Sequence, residues 1–256
     1  MPERDTQRDD LMTAGAIGSL SFISSMLFHE GLGHVGVCTL LGGRSVLYPV
    51  SMQANIQSQW MVAAGPSMNF IVGGALWFLM ARIGRMPGHL RYFLWLTMAF
   101  SLFNAAGYLA LSVLANFGDW AVLLRGARPN WLLRGCLALF AGLLYYAFMH
   151  AVAFAGRAFL GPPRGKRLTL TPYLVSGAVA CTAATLSRSG LDYVFLAAAA
   201  SLGAGWGLVA IHDWSRDPGG VSAVSPITRS AAWLVASFVV TAFYIAIIGR
   251  GLRLPL

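Results

Sequence analysis

Apolar residues in this chain run together in long blocks, and polar residues are confined to short breaks between them. Seven stretches, 11–28, 45–81, 92–118, 135–156, 168–187, 193–211 and 230–249, are free of Asp, Glu, Lys and Arg. Each reaches or nearly reaches the roughly 20 residues that an α-helix needs to cross about 30 Å of hydrocarbon. Backbone amides in lipid must be satisfied internally, so the blocks predict helices, or short irregular pieces shielded by helices. The pattern gives an all-α integral membrane protein with six to seven transmembrane helices, a single polytopic domain over 1–256. No internal repeat, low-complexity tract or interdomain linker interrupts it.

One segment breaks the pattern. Residues 42–59, GGRSVLYPVSMQANIQSQ, combine a Gly-Gly break, a β-leaning Val46–Leu47–Tyr48, Pro49 and several amides, which predicts an extended or hairpin element. Ala64–Gly65–Pro66 follows, and proline suits the first turn of a helix. The block 45–81 is therefore expected to be a non-helical insert followed by one span.

Composition agrees with the blocks. Of the 256 residues, 57% are hydrophobic and only 11% charged, against the roughly 25% charged of a soluble domain. The net charge of +9 raises nucleic acid as a partner, but all but one of the 18 basic residues are Arg, scattered between the apolar blocks where they would meet lipid headgroups. No nucleic-acid motif accompanies them, so the bilayer is the expected partner and nucleic acid is not. The first block follows Arg4 and Arg8 as a signal peptide would. Glu3, Asp5, Asp9 and Asp10 and the lack of a small-residue cleavage site make it a retained span instead. Cys38, Cys136 and Cys181 stand singly and read as packing residues. Trp77, Trp95 and Trp120 are expected in interfacial belts.

The candidate chemistry lies in the few ionisable residues at the apolar blocks. His29–Glu30–Gly31–Leu32–Gly33–His34 ends the first block, and Asp119 is the only charge between residues 92 and 124. Ionisable groups placed there are costly and point to function. Two imidazoles and a carboxylate can bind Zn2+ and leave a fourth position for water, as a catalytic site requires. A neighbouring carboxylate, here Glu30, can then take the water's proton and later deliver it to a leaving amine. The spacing needs a local distortion. The H-E-x-x-H motif puts its histidines four apart, about 40° round a helix, whereas His29 and His34 are five apart, about 140°. A π-bulge would absorb the extra residue, and Gly31 and Gly33 make the backbone permissive.

These features resemble the site-2 protease family of intramembrane zinc metalloproteases. Three occur in the family's order: HEGLGH at 29–34, AGPSMN at 64–69 and GDW at 118–120. The resemblance covers a protease core over about residues 20–125, leaving 131–256 as additional transmembrane helices. It implies a zinc metalloendopeptidase that cleaves membrane-protein or peptide substrates. His29, His34 and Asp119 would be the metal ligands, Glu30 the catalytic acid/base and Asn69 a site-lining residue that holds the substrate backbone. It also implies that 42–59 pairs with an unwound substrate by strand addition, and it suggests a bacterial inner membrane. The chain departs from the family in the extra residue of its histidine motif and in Gly-Asp-Trp where Leu-Asp-Gly is usual.

Other readings stay open. His29, Glu30 and His34 could be a polar span end, Asp119 an interhelical hydrogen bonder, and Asn69 a joint between helices. Cys38, four residues after His34, is a conceivable ligand, though a packing role suits it better. The rival function is a non-catalytic relative that binds membrane segments or transports a solute. A di-iron oxidase would need more than the five histidines present. Orientation is also open. With seven spans, Arg4, Arg8, Arg82, Arg85, Arg91, Arg157, Arg164, Lys166, Arg167, Arg216 and Arg229 fall on the N-terminal side, leaving seven basic residues on the other. The positive-inside rule thus makes the N-terminal side cytoplasmic, whereas the family's histidine motif lies toward the cytoplasm. Substrate identity and oligomeric state are not encoded legibly.

Overall fold

The computed structural model describes residues 8–83, 86–125, 130–160, 164–187, 190–214 and 226–254. Among them, seven helices are long and apolar enough to cross a membrane: α1 (Leu11–Leu40), α2 (Gln59–Arg82), α3 (Gly88–Ala115), α5 (Trp131–Gly156), α6 (Arg164–Thr185), α7 (Leu191–Asp213) and α8 (Ala231–Arg250). A short α4 (Gly118–Leu124) follows α3. The predicted class of fold is thus the observed one.

The first span is longer than its charge-free block, because the helix runs straight through the polar cluster. It starts where the Asp10 carboxylate accepts from the Met12 amide, a side-chain cap that meets one of the unsatisfied donors of a first turn. Residues Leu27–Val35 are wound as a π-helix before α-helix resumes at Gly36–Leu40.

The predicted insert is a hairpin. Strands β1 (Ser45–Tyr48) and β2 (Ser51–Ala54) pair antiparallel about the two-residue turn Pro49–Val50. A third strand that the sequence reading did not anticipate, β3 (Leu252–Leu254), pairs antiparallel with the other side of β1, giving the order β2-β1-β3. After the hairpin, α2 begins at Gln59, so Pro66 lies inside the helix and does not open it. The start of α2 overlaps the amide-rich end of the expected insert. Pro66 cannot donate to the Val62 carbonyl, which loosens that turn.

The best covered span is α3, two-thirds buried, whereas α5 and α8 turn most of their surface outward. The core beside α3 is aromatic and hydrogen-bonded. Trp95 is fully buried, stacks with Tyr92, packs against the tilted ring of Phe159, and donates from Nε1 to the Val152 carbonyl. It is a core residue and not the interfacial one expected, because its indole N–H found a carbonyl inside the bundle. Trp77 is half exposed, as a belt residue would be.

The ends of the spans alternate consistently. Asp9, before α1, makes a two-point ion pair with Arg164 at the start of α6 and accepts from the Ile227 amide before α8. His89, at the start of α3, contacts the Thr228 carbonyl. All of these lie on one face. The hairpin after α1, α4 after α3, and β3 after α8 belong to the opposite face, which is what seven crossings require. Residues 1–7, with Glu3, Arg4 and Asp5 of the n-region, lie outside the described residues, as do Arg85 and Arg216.

Candidate metal centre

The π-helical stretch solves the spacing problem of His29 and His34. Its hydrogen bonds skip five residues, for example from the Gly36 amide to the Gly31 carbonyl, so side chains five apart stand on one side. Both imidazoles are buried and their rings sit edge to face with centroids 4.8 Å apart.

Helix α2 crosses this stretch at close range, and two glycines permit it. A Cβ on Gly33 would lie 2.7 Å from Gly65 Cα. A Cβ on Gly65 would collide with His34 Nε2 and lie 2.8 Å from His29 Nε2. Gly65 thus keeps open the space in front of both nitrogens. Gly31 meets nothing within 4 Å, so of the two motif glycines only Gly33 is sterically demanded.

The third member arrives through a reversal of the chain. Asn116 ends α3 in a left-handed conformation with φ 57°, and Gly118 follows with φ 82°. A side chain on Gly118 would be strained by that φ and would collide with the Tyr108 hydroxyl. Glycine before the aspartate is therefore required locally. The turn aims Asp119 back at the histidines. Asp119 Oδ2 lies 3.3 Å from His29 Nε2 and 3.2 Å from His34 Nε2, and the two Nε2 atoms are 3.2 Å apart.

Hydrogen bonds fix how these atoms present themselves. The Met61 carbonyl, in the turn loosened by Pro66, is 2.7 Å from His34 Nδ1. A carbonyl only accepts, so Nδ1 carries the proton and a neutral His34 offers its lone pair from Nε2. On His29, Nδ1 is 2.9 Å from the amide nitrogen of Asn69, while Asn69 Oδ1 has no partner among the described residues. Turned end for end, which its shape allows, the amide gives that oxygen a donor in His29 Nδ1–H and leaves the second lone pair on Nε2.

Three lone-pair donors thus face one another with almost equal separations. In those tautomers, a point about 2 Å from all three suits a metal ion bound by imidazole and carboxylate. His29, His34 and Asp119 form a group able to hold a metal ion. Cys38 takes no part in it; its thiol faces the Arg44 carbonyl.

Glu30 adjoins the cluster. Its Oε1 is 3.9 Å from His29 Nε2, and its Oε2 is buried without a hydrogen-bond partner among the described residues. A cavity of about 280 Å³ opens onto Glu30, His34 and Asp119. Tyr108, the hairpin residues Val50, Ser51 and Met52, Phe117, and apolar side chains of α2, α4 and α7 complete its wall. Asn69, predicted to line the site, is fully buried behind His29 and does not reach this cavity. The sequence reading also passed over the Met61 carbonyl, Gly65 as spacer, and Tyr108. Only Gly65 had a visible signal, its place between Ala64 and Pro66.

Fold and site together define a class: helical membrane proteins with a buried two-histidine, one-carboxylate cluster spaced to hold one metal ion. No protein-family model, curated protein or solved structure matches the chain.

Proposed function

We propose that this protein is an intramembrane zinc metalloprotease of the site-2 type, acting on transmembrane or membrane-proximal peptide in a bacterial inner membrane. The observation that carries the reading is the triangle of His29 Nε2, His34 Nε2 and Asp119 Oδ2 with edges of 3.2–3.3 Å, beside a Glu30 oxygen that has no hydrogen-bond partner among the described residues. Zinc fits the donor set, because two neutral imidazoles and one carboxylate leave it a fourth position facing the cavity.

When bound, zinc would polarise water and the scissile carbonyl. Glu30 accepts a proton as water oxygen adds to the carbonyl carbon, then passes it to the amide nitrogen as the C–N bond breaks. His34 is held by the Met61 carbonyl and His29 by Asn69, so both rings are oriented before substrate arrives. Asn69 acts in this scheme through His29. The outer edge of β2 has no neighbouring strand among the described residues, and it borders the cavity. An unwound substrate added there would receive main-chain hydrogen bonds next to Glu30.

The test is Glu30→Gln in full-length protein, reconstituted in liposomes with a quenched-fluorescence single-span peptide. Cleavage is expected to fall by about 10²–10⁴-fold with near-stoichiometric zinc retained, and His34→Ala is expected to lose the zinc. Wild-type protein purified without stoichiometric metal, or a Glu30→Gln variant cleaving at the wild-type rate, would overturn the assignment in favour of a non-catalytic membrane protein.

A further inference from the structure

The hairpin that borders the cavity is held from three sides by the last third of the chain. Tyr193, near the start of α7, accepts at its hydroxyl from the Val50 amide and the Ser51 hydroxyl, both at 3.1 Å. Tyr244, on α8, donates its hydroxyl to the Pro49 carbonyl at 2.7 Å. Both tyrosines are buried, Tyr244 to 1% exposure. Strand β3 then pairs with β1 over Ser45–Leu47. Gly251, with φ 93°, makes that return possible, since a Cβ there would lie 2.8 Å from the Tyr48 ring.

These ties fall on one small target. Pro49, Val50 and Ser51 are the turn and the first residue of β2, and Val50, Ser51 and Met52 form the hairpin's part of the cavity wall. A two-stranded hairpin alone is marginally stable. Here its turn amide and turn carbonyl, which the ladder does not use, are each satisfied by a buried phenol. The strand partner is added on the β1 side only, so the β2 edge stays both open and fixed in place.

We infer that Tyr193 and Tyr244, with β3, form a clamp through which the carboxy-terminal helices set the position of the substrate-binding strand relative to Glu30 and the metal ligands. The clamp rests on the proteolytic reading for its effect on catalysis, but not for its effect on the hairpin. Tyr193 and Tyr244 are positioning residues: they hold the backbone that holds the peptide. The residues after the expected protease core are thereby part of the working site.

The experiment compares full-length wild type with Tyr193→Phe, Tyr244→Phe and the double variant in nanodiscs, with Leu254→Pro as an independent cut in the β1–β3 ladder. Hydrogen exchange is followed over 44–56, and cleavage of the same single-span peptide is measured with metal content. Loss of two buried partners is expected to speed exchange of the hairpin about 10-fold or more in the double variant, with α1 and α3 unchanged. KM should rise about 5–10-fold while kcat stays within about twofold and zinc is retained. Leu254→Pro should loosen the same peptide. Hairpin exchange at the wild-type rate in both the double variant and Leu254→Pro would overturn the clamp, and would leave proteolysis standing if cleavage continues. If wild type cleaves nothing, exchange alone decides the clamp, and the proteolytic reading falls separately.

Discussion

At the scale of single residues, the site depends as much on an absent side chain as on the ligands themselves. Gly65 faces the two Nε2 atoms so closely that even a methyl group would sit where a metal ion's ligands converge. Gly65→Ala is therefore expected to reduce bound zinc to below about a tenth of wild type, by metal analysis of purified protein, and to abolish cleavage. Gly74, on the same helix with nothing within 4 Å of its Cβ position, is the control. Gly74→Ala should keep full metal content, and a Gly65→Ala variant that did the same would show that the nitrogens do not converge as described. The motif reading reached the residues of the cluster through their types and order. It missed the role of Gly65 because a glycine's value here is a distance to another helix, which has no trace in local spacing.

At the scale of elements, two local windings shape the candidate site. The π-helical stretch of α1 turns a five-residue separation, which would splay the histidines on an α-helix, into a shared face. In the hairpin, the alternation of hydrogen-bonded pairs fixes which groups are free. The Asn55 amide donates to the Arg44 carbonyl, so pairs alternate from Arg44 with Asn55, through Val46 with Gln53, to Tyr48 with Ser51. Met52 and Ala54 consequently direct their backbone N–H and C=O away from β1, to the open edge. Met52→Pro removes one outward N–H without touching the ladder, a position where edge strands tolerate proline. It should raise KM for the single-span peptide by about 10-fold or more with metal content unchanged, whereas Gln53→Pro should loosen the hairpin itself, seen as faster hydrogen exchange over 44–56. An unchanged KM in Met52→Pro would remove β2 as the substrate strand.

At the scale of the whole molecule, contacts between distant segments agree with an odd number of crossings. The β1–β3 pairing joins the residues after the first span to those after the seventh. The Asp9–Arg164 ion pair and the His89–Thr228 contact join segments of the opposite face. Positions 89 and 253 are therefore expected on opposite sides of the membrane, whichever side is cytoplasmic. Cysteines introduced singly at 89 and 253, in a background lacking Cys38, Cys136 and Cys181, would report this with a membrane-impermeant maleimide on intact cells. Labelling at one position and not the other is expected; labelling of both would contradict the odd number of crossings.

The sequence by itself determined the membrane-spanning architecture and the residue types of the polar cluster. Long charge-free blocks separated by arginines specify membrane helices, because lipid leaves few alternatives for a backbone. A Gly-Gly, Pro49-centred segment specifies a break in them, and isolated His, Glu and Asp residues announce a polar site where charge is expensive. Tertiary structure decided what those residues do together. It moved Pro66 into a helix interior and Trp95 into the core, and it set Asn69 behind His29. It drew three lone pairs to within 3.3 Å of one another and brought strand 252–254 back to a hairpin some 200 residues earlier in the chain. Residue type and period report short-range preference, whereas convergence of segments far apart in the chain depends on helix crossings set by glycines, buried hydroxyls and carbonyls, and these are readable only once the helices are packed.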